Sequence, residues 1–317
     1  MNKMESFRQF VAGQFDQLDL KQSPKELYEP IQYILSLGGK RIRPVLMMLS
    51  HELFDGNPTS ISGPALAVEM FHNFTLIHDD IMDNAGLRRG KPTVHEKWDR
   101  NIAILSGDAL CILSYDYLIR TEPTTLLPEL VRRFNKTSIE ICEGQQMDLN
   151  FETAGDVTLS QYKEMIRLKT AVLLGFSLWT GAYLAGASQN EQELCYRIGE
   201  NMGLAFQLKD DYLDAFGSTA QTGKEQGGDI RSGKKTYLQI EAKRLGFSPA
   251  FSGNADSSLE VPAVIKKYRE LGLDHELQQE VEQYAAQAIQ GLHDLKKSHE
   301  NLNLLEKLIE QLSNRDH

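Results

Sequence analysis

Two copies of one short acidic pattern, each on an apolar helical stretch, constrain this chain more than any other feature. From Ala65, apolar residues run without a Pro or Gly break into Leu76-Ile-His-Asp-Asp-Ile-Met-Asp83, which reads as a helix. On a helix Asp79 and Asp83 share one face, and Asp80 lies about 100° round from Asp79. Like charges at that spacing repel unless a cation sits between them. Gly86 is expected to end the helix, with Arg88 and Arg89 following on a loop. Far downstream, Gln207-Leu-Lys-Asp-Asp-Tyr-Leu-Asp214 repeats the pattern, with Asp210, Asp211 and Asp214 in the places of Asp79, Asp80 and Asp83. One such cluster beside arginines reads equally well as surface ion pairs; two on apolar helices are rare by chance. Carboxylates at helical spacing suit Mg²⁺, which keeps several waters and is completed by substrate phosphates. Two such helices facing each other across a cavity would hold divalent ions and a diphosphate.

The bulk of the chain narrows the class. Its 317 residues, 41% hydrophobic and 25% charged, support a large core. The formal net charge is −10, and no Lys/Arg block is long enough for a nucleic-acid arm. Basic residues cluster locally instead: Lys40, Arg41 and Arg43; Arg88 and Arg89; Lys234 and Lys235. That balance fits a small anionic ligand better than a polyanion. Cys111, Cys142 and Cys195 are odd in number and far apart, and read as buried thiols in a reducing, cytoplasmic setting. Met1 to Asp19 has no signal-peptide core. Ala171 to Ala187 is shorter than the ~20 residues a membrane span needs. It reads as a core helix whose Gly175, Gly181 and Gly186 admit close neighbours.

Helical patterns succeed one another with no period-two run. A helix over 3–19 is followed by one that Ser23 caps and Pro24 starts, ending near Leu37. Gly38 to Pro44 breaks the chain; its backbone amides with Lys40 and Arg43 read either as a solvated connector or as an anion site. His72 and His78 ride the first Asp-rich helix. Helices are expected from Asn101 to Arg120 and from Glu129 to about Leu149, with Gln145-Gln-Met-Asp148 in the last turn of the second. Ser160, with Glu164, is expected to cap the next helix, which carries Lys169-Thr170 into apolar sequence. A lysine entering a core points to a buried anion partner. Glu191 to Phe216 holds the second motif. The loop Gly217 to Lys235 contains two near-matches to a nucleotide P-loop; one has the wrong spacing, the other puts Lys235 where Ser or Thr must stand, and neither follows a strand. Its Lys224 and Lys234 suit a lid over phosphates. Val264 to Leu271 and Glu276 to Leu312 complete the helices. The expectation is an all-α chain forming one domain over residues 1–317.

Gly38 to Pro44, Leu76 to Gly90, Lys169-Thr170, Gln207 to Asp214 and Gly223 to Lys235 together resemble the trans-isoprenyl diphosphate synthases, the polyprenyl synthetase family. The resemblance spans roughly residues 30–240 and implies an all-α isoprenoid-synthase bundle with a central cavity, usually a homodimer. It implies head-to-tail condensation of an allylic diphosphate with isopentenyl diphosphate, with three Mg²⁺ ions bound alongside the diphosphate. By position, Asp79, Asp83 and Asp210 match principal metal ligands, supported by Asp80, Asp211 and Asp214. Lys40, Arg43, His72 and Arg89 match the isopentenyl diphosphate site. Arg88, Lys169, Lys224 and Lys234 match the allylic diphosphate site, and Thr170 and Gln207 lie near the reacting carbons. Arg315-Asp316 resembles the family's basic tail weakly. Phe74, five residues before Asp79, stands at the family's usual length gauge and also reads as a plain core residue. With no insertion inside Asp79 to Asp83, products of C15 to C20 are expected, C20 slightly ahead. A terpene cyclase or a non-catalytic subunit are the rival readings; the presence of all six carboxylates and of Lys40, Arg43 and His72 weighs against both.

Overall fold

The computed structural model describes residues 3–218, 226–248, 261–297 and 300–314. The described chain is helical apart from one hairpin, and it gathers into two compact units. The first comprises Met1–Phe134 with Ser177–Gln192, the second Asn135–Phe176 with Glu193–His317.

In the first unit, α1 (Lys3–Asp16), α2 (Lys25–Ser36), α3 (Ile42–Leu53) and α6 (Arg100–Leu118) surround α4 (Ser62–Met82). Helix α4 forms because its run from Pro64 to Phe71 is apolar apart from Glu69 and is buried along its length. It ends at Met82 with Asp83 as its C-cap, four residues earlier than Gly86 predicted, because Asn84 takes a left-handed φ of +49° and the Ala85 N–H closes back on the Asp80 carbonyl at 2.9 Å. The arginines then sit on a small hairpin, β1 (Leu87–Arg88) and β2 (Lys91–Pro92), followed by the single turn α5 (Val94–Lys97). Ser23 caps nothing: Pro24 occupies the cap position and α2 starts at Lys25.

Helix α7 (Leu127–Thr153) is longer than expected, so Asp148 lies inside it. Helix α8 (Leu159–Ile166) is capped by Thr158, whose side chain and Gln161 form a reciprocal capping box. Ser160 is therefore the second residue of the helix and not its cap, because Gln161 stands three places after Thr158 and completes the box there. A π-helical turn, Arg167–Ala171, joins α8 to α9 (Val172–Leu184). Of the three glycines expected to admit neighbours on α9, two do. A Cβ on Gly181 would stand 2.3 Å from the Met47 carbonyl, and one on Gly175 would press on Tyr196. Gly186 instead supplies a left-handed φ of +77° after the helix.

Helix α10 (Gln189–Phe216) carries the second motif. It is followed by α11 (Gly228–Ser232), α12 (Tyr237–Arg244), α13 (Val261–Glu270), α14 (Leu273–Asp294) and α15 (Glu300–Asn314). The expected helix from Glu276 to Leu312 is therefore two, parted where Lys296 takes a left-handed φ of +53°. The second unit's core is built from Tyr162, Met165, Leu208, Tyr237, Tyr268 and Leu277 among others. Its apolar burial, at about 25 cal/mol per Å², is what holds these helices together. Cys195 is buried, Cys111 half-buried, but Cys142 is exposed, contrary to expectation, because α7 turns that position outward; none forms a disulfide.

Candidate active site

In each acidic motif the second aspartate points into the protein. Asp80 is 2% exposed and Asp211 5%, while Asp79 and Asp214 are half-buried and Asp83 and Asp210 exposed. Asp80 accepts a two-pronged bond from Arg88, Nε to Oδ2 at 2.8 Å and Nη2 to Oδ1 at 2.7 Å. The hairpin makes this reach possible by turning the chain back towards the helix end. The like-charge cost of the first motif is thus offset by a planar guanidinium matched to a carboxylate.

The Gly38 to Pro44 break is a folded anchor. Arg41, buried at a left-handed φ of +46°, bonds Glu69 at 3.1 Å and the Leu35 carbonyl at 2.6 Å. Arg89 reaches from the hairpin to the Gly38 carbonyl, and a Cβ on Gly39 would stand 2.6 Å from its guanidinium. The φ of +129° at Gly39 is one that glycine adopts without strain. His72 lies in the field of this cluster: burial first, then Arg43, Arg89, Arg88 and Arg41, hold it well below its ordinary pKa, so it is neutral at physiological pH. Burial also brings Arg43 down to about 10, still fully charged near neutrality, and its buried Nε has no partner among the described residues. Lys40 is exposed beside them. Five of the predicted basic and histidine residues, Lys40, Arg43, His72, Arg88 and Arg89, therefore belong to this one unit. Sequence reasoning missed Glu69, whose signal was an acid inside an apolar run, three residues before His72.

The second unit holds the other set. Asp211 accepts a hydrogen bond from the Tyr162 hydroxyl and one from the Tyr237 N–H at 3.5 Å. Burial, with the charges of Asp229 and Asp210 adding to it against the Tyr162 bond, pushes the Asp211 carboxyl up to about 7. Asp214 accepts the N–H groups of Gly228 and Asp229, both at 3.1 Å. The turn with P-loop-like spacing thus closes on the protein's own carboxylate. Thr170 and Gln207 meet at 3.3 Å. Lys169 has the anion partner its sequence context demanded: Asp148, at 2.7 Å, which also lies 3.5 Å from Lys234. Asp148 and Tyr162 were not singled out as site residues; Asp148 signalled only as an acid in an otherwise polar run, and Tyr162 not at all. Lys224 and Arg315 lie outside the described residues.

The backbone around Lys169 is pressed from two sides. A Cβ on Gly144 would stand 2.4 Å from the Lys169 backbone nitrogen, and one on Gly203 2.4 Å from the Ala171 Cα. These close approaches hold the π-helical turn that carries Lys169 and Thr170.

Among the described residues no three His, Cys, Asp or Glu side chains form a ready-made metal site. The donor chemistry nonetheless fits Mg²⁺. The oxygens are hard, and Asp210, Asp211 and Asp229 concentrate negative charge that the neighbouring groups compensate only in part. Such an ion needs phosphate or water oxygens to complete its shell.

The polyprenyl synthetase family model matches residues 24–251. The chain belongs to the polyprenyl synthetase family. It is 40% identical over 265 residues to the geranylgeranyl diphosphate synthase of Methanosarcina mazei, covering 83% of this chain and 82% of that one. It is 36% identical over 309 residues to the geranylgeranyl pyrophosphate synthase of Geoglobus acetivorans, covering 97% and 96%. The solved structure of a geranylgeranyl pyrophosphate synthetase from Geoglobus acetivorans superposes with a TM-score of 0.91 at 33% identity, over 98% of this chain and 99% of that one. As a polyprenyl synthetase, the protein is a short-chain trans-prenyltransferase of the all-helical fold; the cyclase and non-catalytic readings are not favoured. Prenyl synthases of this family are generally Mg²⁺-dependent. No helix among the described residues is long and apolar enough to cross a membrane.

Proposed function

We propose that this chain condenses isopentenyl diphosphate with a dimethylallyl, geranyl or farnesyl diphosphate, releasing diphosphate and a C15 to C20 product, C20 slightly favoured. The observation that carries the reading is the Lys40, Arg43, His72 and Arg89 cluster, since a cyclase has no second diphosphate to hold. Relatives named geranylgeranyl diphosphate synthase favour C20, and one at 35% identity is named geranylfarnesyl diphosphate synthase.

In this reading Asp79, Asp83 and Asp210 hold Mg²⁺, three ions per site, with Asp80, Asp211 and Asp214 supporting. Mg²⁺, when bound, would supply charge neutralisation to the leaving diphosphate. Arg88, Lys169, Lys224 and Lys234 bind the allylic diphosphate, and the charge that builds on it meets cations already in place. Thr170 and Gln207 turn their oxygen dipoles to the allylic cation. Lys40, Arg43 and Arg89 bind the isopentenyl diphosphate; His72, held neutral, donates a hydrogen bond without adding a proton equilibrium. With no dedicated base beside either motif, the released diphosphate takes the final proton. Phe74, its ring edge-on to Phe71 and His78 at centroid distances of 5.4 and 4.8 Å, floors the product tunnel.

The whole chain works as one synthase domain, cytoplasmic and homodimeric. Leu105 and Ile112 on α6 and Ile119 at its cap recur at seven-residue spacing and are exposed, Ile112 by 69%. A stripe of that period fits the same stripe on a second copy. Sedimentation of Ile112→Glu as a dimer would remove this assignment. The activity itself is tested with the purified chain, isopentenyl diphosphate, an allylic diphosphate and Mg²⁺. Diphosphate release only with both substrates supports the reading; release from the allylic substrate alone defeats it.

A further inference from the structure

Two lysines from distant parts of the chain converge on a single carboxylate oxygen. Asp148 Oδ2 lies 2.7 Å from Lys169 Nζ and 3.5 Å from Lys234 Nζ. We propose that Asp148 is a positioning residue for the chemical step: its carboxylate gathers the two ammonium groups and fixes where they meet the departing diphosphate. The inference rests on the prenyl-transfer reading and gives Asp148 no contact with substrate.

Three observations carry it. Gly144 packs against the backbone of Lys169 and Gly203 against that of Ala171, which places the turn, while the ammonium at the end of the flexible four-carbon side chain of Lys169 is held by Asp148. Lys234 is an exposed residue on the segment between α11 and α12, tied there through its N–H to the Asp229 carbonyl at 3.0 Å. The purely structural task at this point already belongs to its neighbour: Lys235 Nζ donates to the Phe151 carbonyl at 2.5 Å and the Glu152 carbonyl at 3.4 Å, at the end of α7. Within the trio one negative charge faces two positive ones, so Asp148 aims the lysines without cancelling their attraction for an anion. Burial would raise the Asp148 carboxyl, but Lys234 and Lys169 outweigh it and hold it below its usual range, ionised throughout neutral pH.

The charge balance gives the test its sign. Removing a negative charge strengthens ground-state attraction for a diphosphate, so a positioning role appears as lost rate with no rise in KM. For Asp148→Asn, the single-turnover rate with both substrates falls about tenfold, the size of one charge-assisted hydrogen bond, while the allylic KM stays level or drops. Asp148→Glu regains most of that rate. An Asp148→Asn rate within about twofold of wild type, with only a lower melting temperature, makes the pair structural and overturns the proposal. So does a KM that rises at unchanged rate. A wild-type chain without turnover defeats the prenyl-transfer reading first, and this inference with it.

Discussion

Arg88 clasps Asp80 through two parallel hydrogen bonds of 2.8 and 2.7 Å, so the middle carboxylate of the first acidic motif is neutralised by a residue of the hairpin that follows it. This division of labour gives the motif one structural acid and two outward ones. In the second motif Asp211 is buried against Tyr162 and Asp214 is tied to the Gly228 and Asp229 N–H groups, which leaves Asp210 as the exposed acid. An acid kept in place by the protein orients the helix end that bears the others.

Arg88→Ala leaves Asp80 buried and unpaired, which costs about 3 kcal/mol of stability. Arg88→Lys keeps the charge but loses the fork, and is expected to recover stability better than turnover. Chemical denaturation and steady-state kinetics on both variants separate the two effects. Equal stability of Arg88→Ala and wild type would show that the clasp carries no such weight.

The π-helical turn bearing Lys169 and Thr170 makes a second prediction. A methyl group at Gly144 meets the Lys169 backbone, which cannot swing away as a side chain tip would. Gly144→Ala therefore costs about 1–3 kcal/mol by overpacking, and displacing the turn lowers kcat by about a hundredfold. Gly155→Ala, where nothing lies within 4 Å, is the control and is expected to behave as wild type. Indistinguishable kinetics for the two variants would contradict this account of the turn.

How much was readable in advance follows the range of the forces involved. The two Asp-rich helices were legible because apolar sequence and acid spacing are both local. So was the need of Lys169 for an anion, since a charge entering a core announces itself; that the anion is Asp148 was not, because nothing local links α7 to that turn. The turn itself was invisible for the same reason: its shape is enforced by Gly144 and Gly203 on other helices. The α8 cap was misplaced by two residues because Ser160 and Thr158 are both good caps, and only the Gln161 side chain chooses between them. Arg41 read as one member of a local basic cluster suited to a small anion, whereas its bond to Glu69 makes it the anchor of the glycine loop.

Phe74 tests the reading of product length. Its ring is half-buried among Phe71 and His78, and both neighbours remain when it is truncated. Phe74→Ala is expected to lengthen the product by one or more isoprene units, seen by chromatography of the dephosphorylated alcohols. An unchanged product distribution would return Phe74 to an ordinary packing role.

The central claim is that both acidic motifs serve one reaction. Asp79→Asn, Asp210→Asn and the double variant, assayed for incorporation of labelled isopentenyl diphosphate under saturating Mg²⁺, test it most directly. Each single change is predicted to lower kcat by about a hundredfold or more, and the double variant to fall little below the weaker single, as for groups that act as a unit. Full activity in either single variant, or losses that multiply independently in the double, would contradict it.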